Sequence, residues 1–169
     1  MIFAMTKEQY IKITEPLRSN PERANRVTSL NHVLTALVFC VYPLYLFMLF
    51  ADKDSWLWRA ILVPAVSFVG LSIVRKIINA PRPYEKFDMP PVLEKDTKGK
   101  AFPSRHVFSV FIIAMTIFYE HPGAGVMLGI IGLLLGIVRV LVGVHEPKDI
   151  AAGALAGIVC GIVGYYVIG

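Results

Sequence analysis

The chain has 169 residues, of which 56% are hydrophobic and 17% are charged, with a net charge of +5 and a mean hydropathy of +0.61. This composition is too apolar for an ordinary soluble domain and its apolar residues arrive in blocks, although the length suits a single domain spanning 1–169. Cys40 and Cys160 both lie in apolar blocks, so they predict neither a disulfide framework nor a metal site.

Residues 1–29 predict an interfacial segment that precedes the membrane spans. Thr6-Lys-Glu-Gln9 resembles a capping box, and Asn20-Pro21-Glu22 resembles a second helix start. Between them, apolar residues can form an edge that lies on the membrane surface: Tyr10, Ile11, Ile13 and Leu17. A charged tail without structure is the alternative for residues 1–14.

Five apolar blocks then predict an all-α polytopic membrane bundle, because a helix needs about 20 residues to cross the hydrocarbon core. The second block contains Arg59 and Pro64, and the third reaches this length only if it begins near Phe102. The predicted spans are Leu30–Ala51, Trp56–Ile73, Phe102–Tyr119, Gly123–Val144 and Ile150–Ile168.

The second span runs into a basic segment that carries Arg75, Lys76 and the sequence Arg82-Pro83. Prolines on both sides of Arg82 end the helix and hold this arginine in an extended segment. The polar loop that follows, Glu85–Lys100, is the longest connection and is expected to shape the entrance of a site.

The third helix opens with Phe102-Pro103-Ser104-Arg105-His106. A helix N-terminus beside a guanidinium suits an anion, especially phosphate. A simple serine N-cap is the alternative, and it would explain Ser104 but neither Arg105 nor His106.

The connection between the last two spans carries Arg139, His145 and Asp149. Asp149 follows His145 by four residues, in the first turn of the helix that Pro147 opens, so it can hydrogen-bond the imidazole. Ionisable groups at this depth are costly and tend to be functional. The alternative is a pair of helix-end charges that anchor a loop.

Counting helix crossings places all three polar clusters on one membrane face, where they can converge. The sequence thereby resembles the type 2 phosphatidic acid phosphatase (PAP2) superfamily of membrane lipid phosphatases. Arg82-Pro83 matches the end of its first motif, Pro103-Ser104 and His106 match the second, and Arg139, His145 and Asp149 match the third at full spacing. Arg75 stands at the position of the family lysine, and Arg105 replaces the usual glycine. The resemblance covers residues 73–157, the motif-bearing core.

The resemblance implies a phosphatase with a phosphohistidine intermediate and no metal or other cofactor. His145 is the implied nucleophile, Asp149 orients it, and His106 protonates the leaving oxygen. The implied phosphate-binding residues are Arg75, Arg82, Ser104, Arg105 and Arg139, with Lys76 as an accessory candidate. The implied partners are the bilayer and a lipid phosphate: undecaprenyl diphosphate, phosphatidate or phosphatidylglycerophosphate. No nucleic acid is expected, and a homo-oligomer is left open.

Two other functions fit parts of this pattern. A catalytically silent lipid-binding or transport protein could use the same scaffold, but His106, His145 and Asp149 are all present and favour an enzyme. Vanadium-dependent haloperoxidases share the motifs but are soluble and much larger. Fifteen of the 17 Lys and Arg residues fall on the face that carries the motifs, and only Lys53 and Arg59 fall on the other. This distribution favours a multi-pass protein of the cell membrane whose site faces the cytoplasm. The outer face, on which many bacterial members of the family act, is the alternative.

Overall fold

The computed structural model describes residues 5–93 and 97–168, which form helices joined by turns and loops. Lys95, which the sequence assigns to the polar loop, and the first four residues of the predicted interfacial segment lie outside this part. The helices, in chain order, are α1 (Lys7–Arg18), α2 (Pro21–Ala51), α3 (Trp56–Ile78), α4 (Pro83–Lys86), α5 (Arg105–Glu120), α6 (Pro122–Leu141) and α7 (Pro147–Ile162), which continues into a π-helical turn, Val163–Val167.

The predicted all-α polytopic bundle is confirmed. Four helical segments in the described part are long and apolar enough to cross a membrane, and they correspond to α2, α3, α6 and α7 with its π-helical turn. Their outward faces are apolar, as lipid contact requires; Phe39, Val66 and Ile137, for example, are all exposed.

Helix α5 corresponds to the third predicted span, but it begins at Arg105 and has only 16 residues. It still connects the two ends of the bundle, because Glu120 at its last turn accepts a hydrogen bond of 2.7 Å from Tyr45 near the end of α2. Nine of its residues are buried, and it packs between α6 and α7. This short apolar helix is therefore the central one, since protein surrounds it where the long helices face lipid.

The N-terminal helices begin where the sequence predicted. Thr6 and Gln9 form a reciprocal capping box. The N–H of Thr6 donates to the side chain of Gln9 at 2.9 Å, and the N–H of Gln9 donates to the side chain of Thr6 at 3.2 Å. Asn20 caps α2, whose first residue is Pro21. Residues 21–29, which the sequence analysis assigns to the interfacial segment, form the first turns of α2, in agreement with the helix start predicted at Asn20-Pro21-Glu22. Nothing between them breaks the helix, so the 31-residue helix runs continuously into the first span.

Glycines allow α7 to lie directly against α5. A Cβ atom placed on Gly153 would lie 2.6 Å from the carbonyl oxygen of Ser104, and one on Gly157 would lie 2.9 Å from that of Phe108. Only a residue without a side chain permits this approach. The contact places the N-terminal ends of both helices side by side, and the N–H of Ser104 donates to the backbone oxygen of Asp149 at 2.8 Å.

Replacing Gly153 with alanine is expected to lower the Tm of the purified protein by several degrees. The new methyl group would meet a backbone oxygen that cannot rotate away, and overpacking of this kind costs about 1–3 kcal/mol. Gly129→Ala is the matched control, because a Cβ atom there has nothing within 4 Å. An equal Tm for the two variants would show that α7 can shift without cost.

Candidate active site

The short connection between α6 and α7 presents His145 to the interior of the bundle. Residues 142–146 lack helical structure, and Pro147 opens α7 directly after them. Nδ1 of His145 lies 3.3 Å from Oδ2 of Asp149, which also accepts the N–H of Glu146 at 2.9 Å. An ionised carboxylate only accepts hydrogen bonds, so the proton sits on Nδ1 and the lone pair on Nε2. This contact is the one that the four-residue spacing predicted.

Burial governs the protonation of this histidine. It lowers the pKa of His145 to about 4, against an opposing contribution from the carboxylate of Asp149 and with a further lowering by Arg82 and Arg139. The imidazole is therefore neutral at physiological pH, which is the state in which a histidine can act as a nucleophile.

Acidification is expected to destabilise the protein through this residue. The pKa of His145 in the folded chain, about 4, lies below the ordinary 6.5, so the unfolded chain takes up the proton first as the pH falls. The stability contributed by the neutral ring is complete above about pH 6.5 and is lost between about 6.5 and 4. Between about pH 7 and 4.5, the Tm of the native chain should fall by several degrees more than that of His145→Gln. Parallel falls would assign the acid sensitivity to other groups.

Several buried polar atoms near this histidine have no hydrogen-bond partner in the described structure. They are Nε of Arg82, Nε and Nη1 of Arg139, Oγ of Ser104 and Oδ1 of Asp149. A buried donor without a partner costs free energy, and a buried charge costs more. Four of these five atoms are donors, whereas Oδ1 of Asp149 is an acceptor. A cluster of donors like that of Arg82, Arg139 and Ser104 is typical of a site that binds an anion.

Backbone hydrogen bonds connect these residues to the His145 turn. Nη1 of Arg82 donates to the carbonyl oxygen of Val144 at 3.3 Å, and the N–H of Val144 donates to that of Arg139 at 3.2 Å. Ser104 is joined to Asp149 as described above. The three motifs, which are far apart in the sequence, therefore meet around His145.

Ser104 precedes α5 but does not cap it with its side chain. Its hydroxyl is fully buried and without a partner. The simple serine N-cap, considered as the alternative for this residue, is therefore wrong.

The guanidinium of Arg75 is already hydrogen-bonded within the protein, whereas a residue that binds phosphate keeps its donors free for the ligand. Its guanidinium donates to the backbone oxygens of Lys100 and Pro103, and to that of Ala101 at 3.4 Å. These bonds hold the segment that leads into Ser104. Lys76, the accessory candidate, lies on the exposed face of α3.

Arg105 and His106 occupy the first turn of α5 and line an apolar cavity of about 550 Å³. The guanidinium carbon of Arg105, which is exposed, lies 5.6 Å from the centre of the Phe68 ring. The remaining walls come mainly from α2 between Thr35 and Leu46 and from α3 between Ile61 and Phe68. At about 1.5 Å per residue, the wall from α2 extends about 16 Å into the bundle.

Sequence reasoning assigned no role to Glu146, although it is the residue after His145 and is 3% exposed. Its carboxylate lies 3.1 Å from Nζ of Lys86 and 3.2 Å from Nζ of Lys148. The sequence did contain a signal for this residue. Glu146 lies between His145 and Pro147, which opens the next helix, so it could have been recognised as the N-cap residue.

The apolar helices and the convergent polar cluster define a multi-pass membrane protein with buried, unpaired hydrogen-bond donors around a histidine. A family model described as the PAP2 superfamily matches residues 56–169. The chain therefore belongs to the PAP2 superfamily.

Individual relatives agree with this assignment. The chain is 30% identical over 121 residues to the bacitracin transport permease protein BcrC of Bacillus licheniformis; the match covers 66% of this chain and 60% of that relative. The crystal structure of Aquifex aeolicus LpxE has a TM-score of 0.73 and 27% identity, with 96% of each chain covered. The PAP2-type phosphatidylglycerolphosphate phosphatase of Bacillus subtilis shares the fold, with a TM-score of 0.56, 20% identity and coverage of 92% of this chain and 90% of that one.

Proposed function

We propose that the chain is a membrane lipid phosphatase that hydrolyses a lipid phosphomonoester or diphosphate through a phosphohistidine intermediate. The cluster of buried donors without partners beside His145 carries this proposal. Arg82, Arg139 and Ser104 would donate to the phosphoryl oxygens, while Arg75 and Arg105 add positive charge nearby. Phosphoryl transfer needs chiefly such positioning and charge stabilisation.

The reaction has two displacements. Nε2 of His145 attacks phosphorus as the bond to the leaving oxygen breaks, and His106 donates a proton to that oxygen. Water then attacks the phosphohistidine, His106 takes a proton from this water, and inorganic phosphate leaves. Asp149 holds the ring and supports positive charge on it while the phosphoryl group is attached. No metal enters these steps.

The apolar cavity supports a lipid as the substrate. Its polar end carries Arg105 and His106, and its walls along α2 and α3 are apolar. A cavity of this size and composition suits the chain of a lipid whose phosphate lies at the polar end. The candidate substrates are undecaprenyl diphosphate, phosphatidate and phosphatidylglycerophosphate.

Phosphate release from these three lipids in detergent, with a metal chelator present, tests the proposal. We expect chelator-resistant release from at least one of them, and the preferred lipid identifies the substrate class. Release that requires added metal would contradict the metal-free steps. Absence of release from any lipid would contradict the enzyme proposal itself.

The other candidate is a lipid-binding or transport protein without catalysis. The Bacillus licheniformis relative is named as a bacitracin transport permease protein, which favours a transport function for that protein. Saturable binding of a lipid phosphate without any release of phosphate would support it here.

We further propose that the site faces the cytoplasm, because Lys and Arg residues are concentrated on the face that carries it. In a chain with both native cysteines replaced by serine, Glu15→Cys should react with an impermeant maleimide only in inverted vesicles. Asp52→Cys, exposed at the other end of α2, should react in intact cells. The reverse pattern would place the site outside.

A further inference from the structure

The N-terminal helix lies against the turn that carries His145. Tyr10 of α1 is 1% exposed, and its hydroxyl donates to the carbonyl oxygen of Gly143 at 3.3 Å. A Cβ atom on Gly143, whose φ is 77°, would lie 2.6 Å from that hydroxyl. The ring of Tyr10 also lies 5.4 Å from that of Phe87, between centres. The helix and the turn are therefore in close contact at a residue two positions before the histidine.

Glu146 provides the second connection, one position after the histidine. Its carboxylate accepts the N–H of Met5 at 3.1 Å and also binds Lys86 and Lys148, as described above. Nζ of Lys86 donates in turn to the carbonyl oxygen of Met5 at 3.1 Å. One buried carboxylate thus joins the chain before α1, the helix α4 and the first turn of α7. A buried charge with several partners is costly to disrupt from any one side.

Residues 142–146 form no helix, although most of their N–H groups bond back to α6 and to Asp149. Their carbonyl oxygens are held by other segments: Arg82 donates to that of Val144, and Tyr10 donates to that of Gly143. Contacts from outside the turn therefore help to determine where the His145 ring sits. Asp149 orients the ring, but it does not hold the backbone at Gly143. An error of about 1 Å in the position of a reacting group can cost about 100-fold in rate.

We propose that residues 5–18, which we call the N-terminal strap, position His145 for attack through Tyr10 and Glu146. This inference rests on the proposed phosphatase function. Tyr10 and Glu146 are positioning residues, because they contact the backbone and neighbours of the His145 turn rather than the buried donors assigned to phosphate. The strap should therefore affect kcat more than the KM for the lipid.

A purely electrostatic role for Glu146 predicts the opposite result. If its charge only repels the anionic substrate, Glu146→Gln would raise kcat/KM by improving phosphate binding. If it positions the turn, the same substitution weakens the bonds to Lys86, Lys148 and Met5 and lowers kcat. The direction of the change separates the two roles.

The experiment measures kcat and KM of the full chain in detergent with the lipid that it hydrolyses best. We expect Tyr10→Phe, which removes only the hydroxyl, to lower kcat about 5- to 10-fold with KM within about twofold of the native value. Glu146→Gln should lower kcat about 10- to 100-fold, again without a rise in KM. Glu15→Gln, an exposed position on the same helix, is the control and should match the native chain.

Two outcomes would contradict the positioning role of the N-terminal strap. One is a native kcat in a folded Tyr10→Phe protein, and the other is a kcat/KM that rises in Glu146→Gln. Tyr10→Phe decides the question if Glu146→Gln does not fold. Native chain and His145→Ala are measured in the same assay. If the native chain releases no phosphate, the proposed function is wrong. If release is normal and depends on His145 but not on Tyr10 or Glu146, only the positioning role of the strap is wrong.

Discussion

Alanine in place of His145 is expected to slow phosphate release by at least about 10³-fold, because the attacking atom itself is removed. The imidazole is 2% exposed, and a water molecule that fills the space left by the ring cannot form the phosphohistidine. The loss should appear in kcat and not be recovered at high lipid concentration. Steady-state release from the preferred lipid measures it.

The intermediate can be trapped in the same proteins. Acid-labile, base-stable phosphate should be found on the native chain after a rapid quench during turnover, and it should be absent from His145→Ala. His32→Ala is the matched control, because His32 is exposed on α2 and should behave as the native chain does. Equal release by native chain and His145→Ala would refute the phosphohistidine mechanism, and label that persists in His145→Ala would assign the nucleophile to another residue.

Replacing Arg139 with leucine should have two opposite effects. The guanidinium is 3% exposed, and its Nε and Nη1 atoms have no partners among the residues that the structure describes. An apolar side chain there removes a buried charge with two unsatisfied donor atoms, so the Tm should stay the same or rise. Phosphate release should fall about 10²- to 10³-fold, because a donor to the phosphoryl oxygens is lost.

Inorganic phosphate or vanadate provides a readout that does not depend on turnover. A ligand that binds only the folded state raises the Tm, so the native chain should be stabilised by the anion and Arg139→Leu should not. Arg26→Leu is the matched control: Arg26 pairs with Glu22 on the surface of α2, and its loss should leave both the anion effect and activity intact. A marked drop in the Tm of Arg139→Leu without anion would show that Arg139 holds the fold together and would count against a donor reserved for phosphate.

Local sequence patterns were enough to predict the class of fold. The lengths of the apolar blocks follow from the thickness of a bilayer, and capping residues act on their own helix, so both can be recognised without the tertiary structure. The same holds for the contact of His145 with Asp149, because a four-residue spacing at a helix start has few geometries. Counting the helix crossings then predicted that the three polar segments lie at one membrane face. Helix bounds were less exact: the third span was predicted from Phe102, but α5 begins at Arg105, after Pro103 and the N-cap position Ser104.

Contacts between distant parts of the chain were decided only by the tertiary structure. Met5 and Glu146 are 141 positions apart, and Tyr10 and Gly143 are 133 apart, so no periodicity or motif relates them. The same is true of Arg75: its charge suggested phosphate binding, but its hydrogen bonds go to backbone oxygens between Lys100 and Pro103. Sequence by itself determined which groups this protein brings to one membrane face. Packing determined which of their donors remain unpaired, because that depends on what lies beside each side chain once the helices have met.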